Sequence, residues 1–125
     1  MSLFRRGAFT LASGEPSNWL IDCEALTSED WQTIAAVLVE RLPPFGAVFG
    51  VPDGGVRLMQ ALERRRTSGG TLIVDDVWTT GRSMSRYIDE VWTTGKLTEP
   101  VTRAVVFARG PAPDEVVALF RMDQR

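Results

Sequence analysis

The segment from Thr71 to Ser83 brings together acids, hydroxyls and a glycine at the end of an apolar run. The acids are Asp75 and Asp76, and a loop rich in hydroxyls follows them. Two neighbouring carboxylates repel each other unless donated hydrogen bonds or a hard cation such as Mg²⁺ offset their charge. Sugar hydroxyls supply such hydrogen bonds. The pair therefore indicates a binding site for a sugar, a metal ion, or both.

The loop after the acids supplies groups that bind anions. Thr79, Thr80 and Ser83 offer hydroxyl donors, and Gly81 leaves the backbone bare. The loop leads into a predicted helix, whose first amides have no partner within the helix and whose dipole is positive at that end. Together with the acids, the loop predicts a site for a phosphorylated sugar. Without a ligand, the same residues would end a strand and cap a helix.

A second copy of part of this string follows along the chain. Glu90 to Lys96 repeats the pattern of Asp76 to Arg82, with Val-Trp-Thr-Thr-Gly in both. The second copy lies at the end of the predicted helix, where the dipole disfavours anions. We therefore interpret the second copy as structural.

Another strand-to-helix turn spans Val51 to Gly55. Pro52, Gly54 and Gly55 allow a tight turn with accessible amides. By itself this is an ordinary turn between a strand and a helix. Asp53 would repel a phosphate, so we expect it to cap the helix or contact a metal.

Alternating strands and helices must position these two turns. A hairpin formed by Phe9 to Leu11 and Trp19 to Asp22 is predicted to precede them in the chain. The predicted elements are a helix from Thr27, with a capping box to Asp30, that stops before Pro43; a strand at Ala47 to Val51; a helix from Gly54 to Arg66; a strand at Thr71 to Val77; a helix at Ser83 to Thr94; and strands at Val101 to Ala108 and Val116 to Phe120. This alternation indicates an α/β fold with a parallel sheet and right-handed crossovers. Ligands in such sheets bind at the carboxyl ends of the strands.

The composition excludes several classes of protein. The 125 residues suffice for one domain, and none of them is histidine, which excludes an imidazole base and a histidine-ligated metal. Cys23 is the one cysteine, so no internal disulfide forms. The formal charge of −2 argues against a general nucleic-acid binder. No apolar run approaches the ~20 residues of a membrane helix, and the first ten residues lack a signal-peptide pattern, so we expect a cytoplasmic protein.

The run from Thr71 to Ser83 resembles the motif that binds 5-phosphoribosyl 1-pyrophosphate (PRPP) in the type I phosphoribosyltransferases. The resemblance implies a compact three-layer, Rossmann-like parallel-sheet fold, with residues 1–26 as a small amino-terminal hood and residues 27–125 as a reduced core. It implies that Asp75 and Asp76 face the ribose hydroxyls and the Mg²⁺ of PRPP. The 5-phosphate would be held by Thr79, Thr80, Gly81, Arg82 and Ser83, and the pyrophosphate by Val51, Pro52, Asp53, Gly54 and Gly55.

The region from Gly7 to Asp22 resembles the hood of the orotate phosphoribosyltransferases. Trp19 falls where those enzymes tend to carry an aromatic residue, which could stack on a pyrimidine base or simply belong to the core of the hood. Ala12 stands where they often have a lysine, so one charged contact expected of that group is missing.

One segment of the orotate group is absent from this sequence. Those enzymes have a further strand and a mobile loop bearing Lys, Arg and His, whereas here only Thr67 to Gly70 connects Arg66 to Thr71. Losing donors of that kind typically costs about 10² to 10³ in rate. The basic run from Arg64 to Arg66 could replace them, or it could be a solvated helix end. The catalytic side chains therefore stay unknown.

The leading hypothesis is a phosphoribosyltransferase that moves phosphoribose to or from a pyrimidine-like base, with Mg²⁺ as cofactor. The alternative is a non-catalytic nucleotide or PRPP sensor, or an assembly module, that retains the phosphate loop. A third interpretation is an unrelated flavodoxin-like phosphate binder. We expect a small-molecule substrate, no nucleic acid and no membrane, and a homodimer, because so small a sheet has four tryptophans to cover.

Overall fold

The computed structural model describes residues 2–11 and 14–122. Along the chain the elements are β1 (Phe4–Thr10), β2 (Pro16–Ile21), a 3-10 turn (Cys23–Ala25), α1 (Ser28–Val39), β3 (Phe45–Gly50), α2 (Val56–Glu63), β4 (Gly70–Trp78), α3 (Arg82–Thr93), β5 (Val101–Ala108) and β6 (Val116–Arg121). The predicted helices and strands are confirmed as elements, although β1 and β2 begin earlier than expected and α2 is shorter at both ends than the predicted Gly54 to Arg66. Ala12 lies outside the described residues.

The four strands β3, β4, β5 and β6 form a parallel sheet in that order. The central strands are its most buried part. Leu72, Ile73 and Val74 of β4 are inaccessible to solvent, as are Ala104 to Val106 of β5. Strands covered on both faces carry continuous apolar runs rather than alternating ones. This explains why the sequence pattern identified both strands.

Helices cover both faces of the sheet, which confirms the three-layer α/β architecture. On one face, Leu38 of α1 and Leu58 of α2 pack in the same cluster as Val74. On the other face, Met84 of α3 packs in a cluster with Ile73. Among the described residues, no helix has both the length and the apolar character needed to span a bilayer.

The two helical crossovers have opposite hands, so the prediction that both are right-handed was wrong. The strands β3, β4 and β5 are parallel and adjacent in chain order. However, α2 and α3 lie on opposite faces. Crossovers that step in the same direction over opposite faces must differ in hand, so one is left-handed, which is rare. The connection from Thr67 to Gly70 leads α2 directly into β4. Within the described residues β3 is the edge of the sheet, so the chain does not first pass through an outer strand on the other side of β3.

The hairpin of β1 and β2 forms a separate antiparallel sheet at the amino-terminal side. Ile21 and Cys23 anchor its end in the apolar cluster beneath α1 and α2. At the other side, the ring of Phe4 contacts Phe107 of β5 edge-on, with ring centroids 6.3 Å apart. The hairpin therefore sits over the sheet as a small cover.

A capping box begins α1, as the sequence predicts. The Thr27 hydroxyl accepts a hydrogen bond from the Asp30 amide at 3.1 Å, and the Asp30 carboxylate accepts one from the Thr27 amide at 2.8 Å. We expect Thr27→Ala to lower the free energy of unfolding by about 1 kcal/mol, because it removes this cap. Urea denaturation measures the effect. Thr33→Ala, at an exposed position on the same helix, is the control and should cost less than about 0.5 kcal/mol; equal losses would contradict the assignment.

Candidate functional site

A cleft of about 290 Å³ opens at the carboxyl ends of β4 and β5, beneath the hairpin. This is the location that the strand-end rule predicts for a ligand in a parallel sheet. Its walls come from the hairpin (Thr10, Leu11, Leu20 and Ile21), the turn after β3 (Pro52, Asp53 and Gly54), the segment from Asp75 to Met84, and Val105 and Arg109. Both sequence motifs therefore contribute to one cleft.

The loop between β4 and α3 carries unpaired amides. Gly81 is the N-cap of α3, and no side chain caps this end of the helix. Across the described residues, the amides of Thr80, Gly81 and Ser83 donate to no acceptor in the chain, whereas the amide of Arg82 donates to the Thr80 hydroxyl at 3.4 Å. Free amides at the positive end of a helix dipole suit an anion. The loop thus retains the donors that a phosphate group requires.

The fold requires glycine at position 81, independently of any ligand. Its φ is +85°, in the left-handed region. A Cβ atom at this position would lie 2.4 Å from Cζ2 of the Trp78 ring. The ring itself is fixed, because its Nε1 donates to the carbonyl of Pro111 at 2.9 Å. Substitution of Gly81 would therefore strain the loop, and other positions make cleaner tests of binding.

The two acids lie at the end of β4 and line the cleft. Asp75 is 8% exposed and accepts a hydrogen bond from the Asp76 amide at 2.8 Å. The Asp76 carboxylate accepts one from the amide of Val77 at 2.7 Å. Burial, together with the neighbouring Asp76 carboxyl, raises the pKa of Asp75 to about 8. A cation or donated hydrogen bonds would favour the ionised form.

Asp53, Asp75 and Asp76 line the cleft, and the adjacent pair Asp75 and Asp76 could hold a metal ion there. Within the described ranges, no three His, Cys, Asp or Glu side chains gather into a metal site. Mg²⁺ is commonly held by one or two carboxylates together with water and substrate phosphates. The pair therefore fits Mg²⁺ that enters with a phosphorylated substrate, and it does not form a complete protein cage for a resident ion.

The turn after β3 is divided between cleft and core. Pro52, Asp53 and Gly54 line the cleft, whereas Val51 is buried and does not. The Gly55 amide is used within the turn, since it donates to the Val51 carbonyl at 2.7 Å. In the described chain, the amides of Asp53 and Gly54 have no acceptor. Two of the five residues predicted for this loop thus offer free donors.

This turn also packs directly on the acids. A Cβ at Gly54 would lie 2.6 Å from both carboxylate oxygens of Asp76, and one at Gly55 would lie 2.5 Å from the carbonyl of Val74. The two glycines therefore allow the turn to approach β4 closely. This close packing brings the two motifs into contact across the sheet.

Trp19 does not line the cleft. Its ring lies against Arg109, with the guanidinium carbon 3.4 Å from the ring centroid. It also contacts the ring of Phe4, with centroids 6.5 Å apart. The indole therefore belongs to a stack between the hairpin and the residue that follows β5.

Arg109 lines the cleft and was missed by the sequence analysis. It directly follows β5, and its guanidinium donates to the carbonyl of Trp19 at 2.9 Å and to the hydroxyl of Ser17. Among the described residues, its guanidinium pairs with no carboxylate. Its position at the carboxyl end of a buried strand was the available signal, because ligand-binding residues concentrate there.

The basic run from Arg64 to Arg66 lies at the opposite end of α2 from the cleft. Arg64 caps the carboxyl end of this helix, and Arg66 pairs with Glu63 at 3.2 Å. None of the three lines the cleft. Arg64 and Arg66 are exposed, whereas Arg65 is half-buried with its Nε buried, so the run forms the end of the helix away from the cleft.

No protein-family model matches the sequence, and no curated protein matches it. Solved structures do match. The orotate phosphoribosyltransferase of Aeropyrum pernix superposes with a TM-score of 0.76 at 25% identity, over 96% of this chain and 89% of that one. The orotate phosphoribosyltransferase of Mycobacterium tuberculosis H37Rv gives 0.70 at 18% identity, over 95% and 89%. The xanthine-guanine-hypoxanthine phosphoribosyltransferase of Helicobacter pylori gives 0.54 at 16% identity, over 79% and 86%. The chain thus has the fold of the type I phosphoribosyltransferases and resembles orotate phosphoribosyltransferases over nearly its whole length.

Proposed function

We propose that this protein is a phosphoribosyltransferase that binds PRPP in the cleft and transfers phosphoribose to or from a pyrimidine-like base. One observation carries the proposal. The unpaired amides before α3 share a cleft with two adjacent acids and with a second turn that has free amides. In PRPP, the 5-phosphate would match the amides before α3, the ribose hydroxyls would match the two acids, and the pyrophosphate would match the second turn. A structure of the M. tuberculosis orotate phosphoribosyltransferase, with 19% identity and a TM-score of 0.68, contains inorganic phosphate.

The residues of the cleft would act by binding and orienting the substrate. The amides of Thr80, Gly81 and Ser83 would hold the 5-phosphate, together with the hydroxyl of Thr79 and the side chain of Arg82. Asp75 and Asp76 would accept hydrogen bonds from the ribose hydroxyls. Mg²⁺, when bound, supplies charge neutralisation for the pyrophosphate. Displacement at the anomeric carbon then depends on alignment of the two reactants and requires no side-chain nucleophile.

The pyrophosphate would lie at the turn from Val51 to Gly55. The free amides of Asp53 and Gly54 are its donors there, while Val51 and Gly55 support the turn from within the fold. The Asp53 carboxylate would contact the metal rather than the phosphate oxygens, since like charges repel. This arrangement keeps the leaving group on the same side of the cleft as Asp76.

Arg109 supports a base that carries carbonyl or carboxylate oxygens. Its guanidinium lines the cleft beneath the hairpin and has no carboxylate partner among the described residues. Guanidinium groups bind planar oxygen-bearing groups through paired hydrogen bonds. We assign Trp19 to base binding through Arg109, whose guanidinium it stacks against.

We further propose a homodimer in the cytoplasm, with residues 1–26 as the hood and residues 27–125 as the core. Phe4, Trp92 and Phe120 are each more than half exposed. Large exposed apolar side chains often mark protein interfaces. Light scattering during size-exclusion chromatography tests the dimer, and a monomeric mass at micromolar concentration would contradict it.

Turnover tests the proposed function. The protein is mixed with Mg²⁺ and PRPP and with orotate, uracil or a purine in turn, and pyrophosphate release is followed. We expect release with a pyrimidine. Release with a purine alone would contradict the base assignment, and binding of PRPP without release on any base would contradict catalysis. Absence of binding to both PRPP and ribose 5-phosphate in calorimetry would contradict the site itself.

Arg109→Gln tests the assignment of the base. We expect the KM for the base to rise about tenfold or more, because a charge-assisted hydrogen bond contributes about 1.5–3 kcal/mol. The affinity for ribose 5-phosphate should not change. Arg86→Gln, at an exposed position on α3 outside the cleft, is the matched control. Loss of ribose 5-phosphate binding in the Arg109 variant would show that the residue acts on the fold of the cleft instead.

A further inference from the structure

We propose that Arg57 binds the pyrophosphate group from a second cavity that adjoins the cleft. The proposal rests on the function proposed above and adds a residue to it. Arg57 is the second residue of α2, directly after the turn that carries the free amides of Asp53 and Gly54. The assignment follows from the residues that this cavity shares with the cleft and from the ion pairs that its charged side chains do or do not form.

The second cavity has a volume of about 300 Å³ and lies between the 3-10 turn, α1 and the start of α2. It shares four lining residues with the cleft, namely Ile21, Asp53, Gly54 and Asp76. A ligand that extends from the ribose site past Gly54 and Asp76 would therefore reach this cavity. In PRPP, the diphosphate is the group that would extend from the ribose into this second cavity.

Arg57 is an unpaired cation at this cavity. Its guanidinium carbon lies 5.9 Å from the ring centroid of Trp31, a buried residue that also lines the cavity. Within the described part of the chain, Arg57 forms no ion pair with an acid. The side chain is therefore available to an anionic ligand.

The acids around this cavity decide the form in which pyrophosphate would enter. Asp22, Glu24, Asp53 and Asp76 all line it. Asp22 is offset by Arg5 at 3.2 Å, and Asp76 already accepts the Val77 amide. The remaining negative charge disfavours free pyrophosphate and favours its magnesium complex, which carries less charge. Arg57 is the cationic side chain that lines this cavity.

The basic residues that follow α2 cannot take this role. Arg65 lies eight positions further along the chain, which corresponds to roughly 12 Å at the rise of an α-helix. None of the residues from Arg64 to Gly70 lines either cavity. Because the connection into β4 contributes no residue to either cavity, Arg57 is the side chain that supplies positive charge to the second cavity.

Calorimetry with Arg57→Gln tests the proposal, with Arg64→Gln, at the C-cap of the same helix, as the matched control. The ligands are Mg²⁺-pyrophosphate, Mg²⁺-PRPP and ribose 5-phosphate. We expect Arg57→Gln to bind the first two about tenfold more weakly or worse, in line with loss of one charge-assisted hydrogen bond. It should bind ribose 5-phosphate as the wild type does, and Arg57→Lys should recover part of the loss. The control should match the wild type with all three ligands.

The outcomes separate this inference from the function on which it rests. Wild-type affinity for pyrophosphate in Arg57→Gln overturns the role of Arg57, even if the protein binds PRPP. An equal loss for ribose 5-phosphate also overturns it, because the substitution would then disturb the whole cleft. Failure of the wild type to bind any of the three ligands overturns the proposed function itself.

Discussion

Replacement of Thr80 by aspartate should weaken the affinity of the protein for ribose 5-phosphate by roughly a hundredfold or more. The new carboxylate would lie beside the free amides before α3, where it would repel the phosphate and compete for its donors. Loss of two charge-assisted hydrogen bonds, at about 1.5–3 kcal/mol each, accounts for a change of this size. The fold should tolerate the substitution, because Thr80 is exposed and acids near a helix N-terminus are favourable. Calorimetry measures the affinity.

The repeated string provides the matched control. Thr94 precedes Gly95 as Thr80 precedes Gly81, but Thr94 is the C-cap of α3 and lies at the opposite end of the same helix. Both glycines have positive φ. We expect Thr94→Asp to leave the affinity for ribose 5-phosphate unchanged. Equal losses in the two variants would show that the effect comes from added charge and not from the position of the loop.

Asp75→Asn should raise the stability of the protein and lower its affinity for Mg²⁺-PRPP. The carboxyl is buried, and within the described residues one amide, that of Asp76, donates to it. Because the pKa of Asp75 is raised to about 8, folding at neutral pH must protonate a carboxyl that is ionised in the unfolded chain, or else bury its charge. An amide side chain avoids both costs, and we expect a gain of about 1–3 kcal/mol in the free energy of unfolding. Binding should weaken by about tenfold or more, because a charged acceptor for the ribose hydroxyls is lost. Stability sacrificed for function is common at binding sites.

Two measurements check this prediction. Urea denaturation should show the gain, and calorimetry should show a larger loss for Mg²⁺-PRPP than for inorganic phosphate. Asp89→Asn, on the exposed side of α3, is the control for a change of net charge and should alter neither quantity. A variant that is less stable and binds both ligands as the wild type does would indicate a structural role for Asp75.

Local patterns were enough to predict the elements, but not how they cross the sheet. The capping box at Thr27 and the apolar runs of β4 and β5 depend on near neighbours in the chain, and the structure confirms them. The hand of a crossover depends on the face against which its helix packs. The apolar stripe of α2 predicts which side of the helix is buried, but not which face of the sheet it covers. The prediction of right-handed crossovers therefore rested on a general preference that one crossover does not follow.

The candidate site was predictable where a motif is continuous in sequence. The two turns lie at strand ends, so their residues could be placed before the structure was known. Arg109 and Arg57 acquire their positions from long-range contacts. Arg109 contacts the carbonyl of Trp19 at a separation of 90 residues. Trp19 was predicted from its place in the hairpin, but its ring stacks on Arg109, a partner distant in sequence, and does not line the cleft.

The most direct test is a titration of the ¹⁵N-labelled protein with ribose 5-phosphate, followed through backbone amide resonances. If the phosphate group docks as described, the largest and saturable shifts will belong to Thr80, Gly81 and Ser83, with little change at Thr93 to Gly95. Resonances of the first group that stay in place at saturating ligand would contradict the central claim, whether or not signals elsewhere respond.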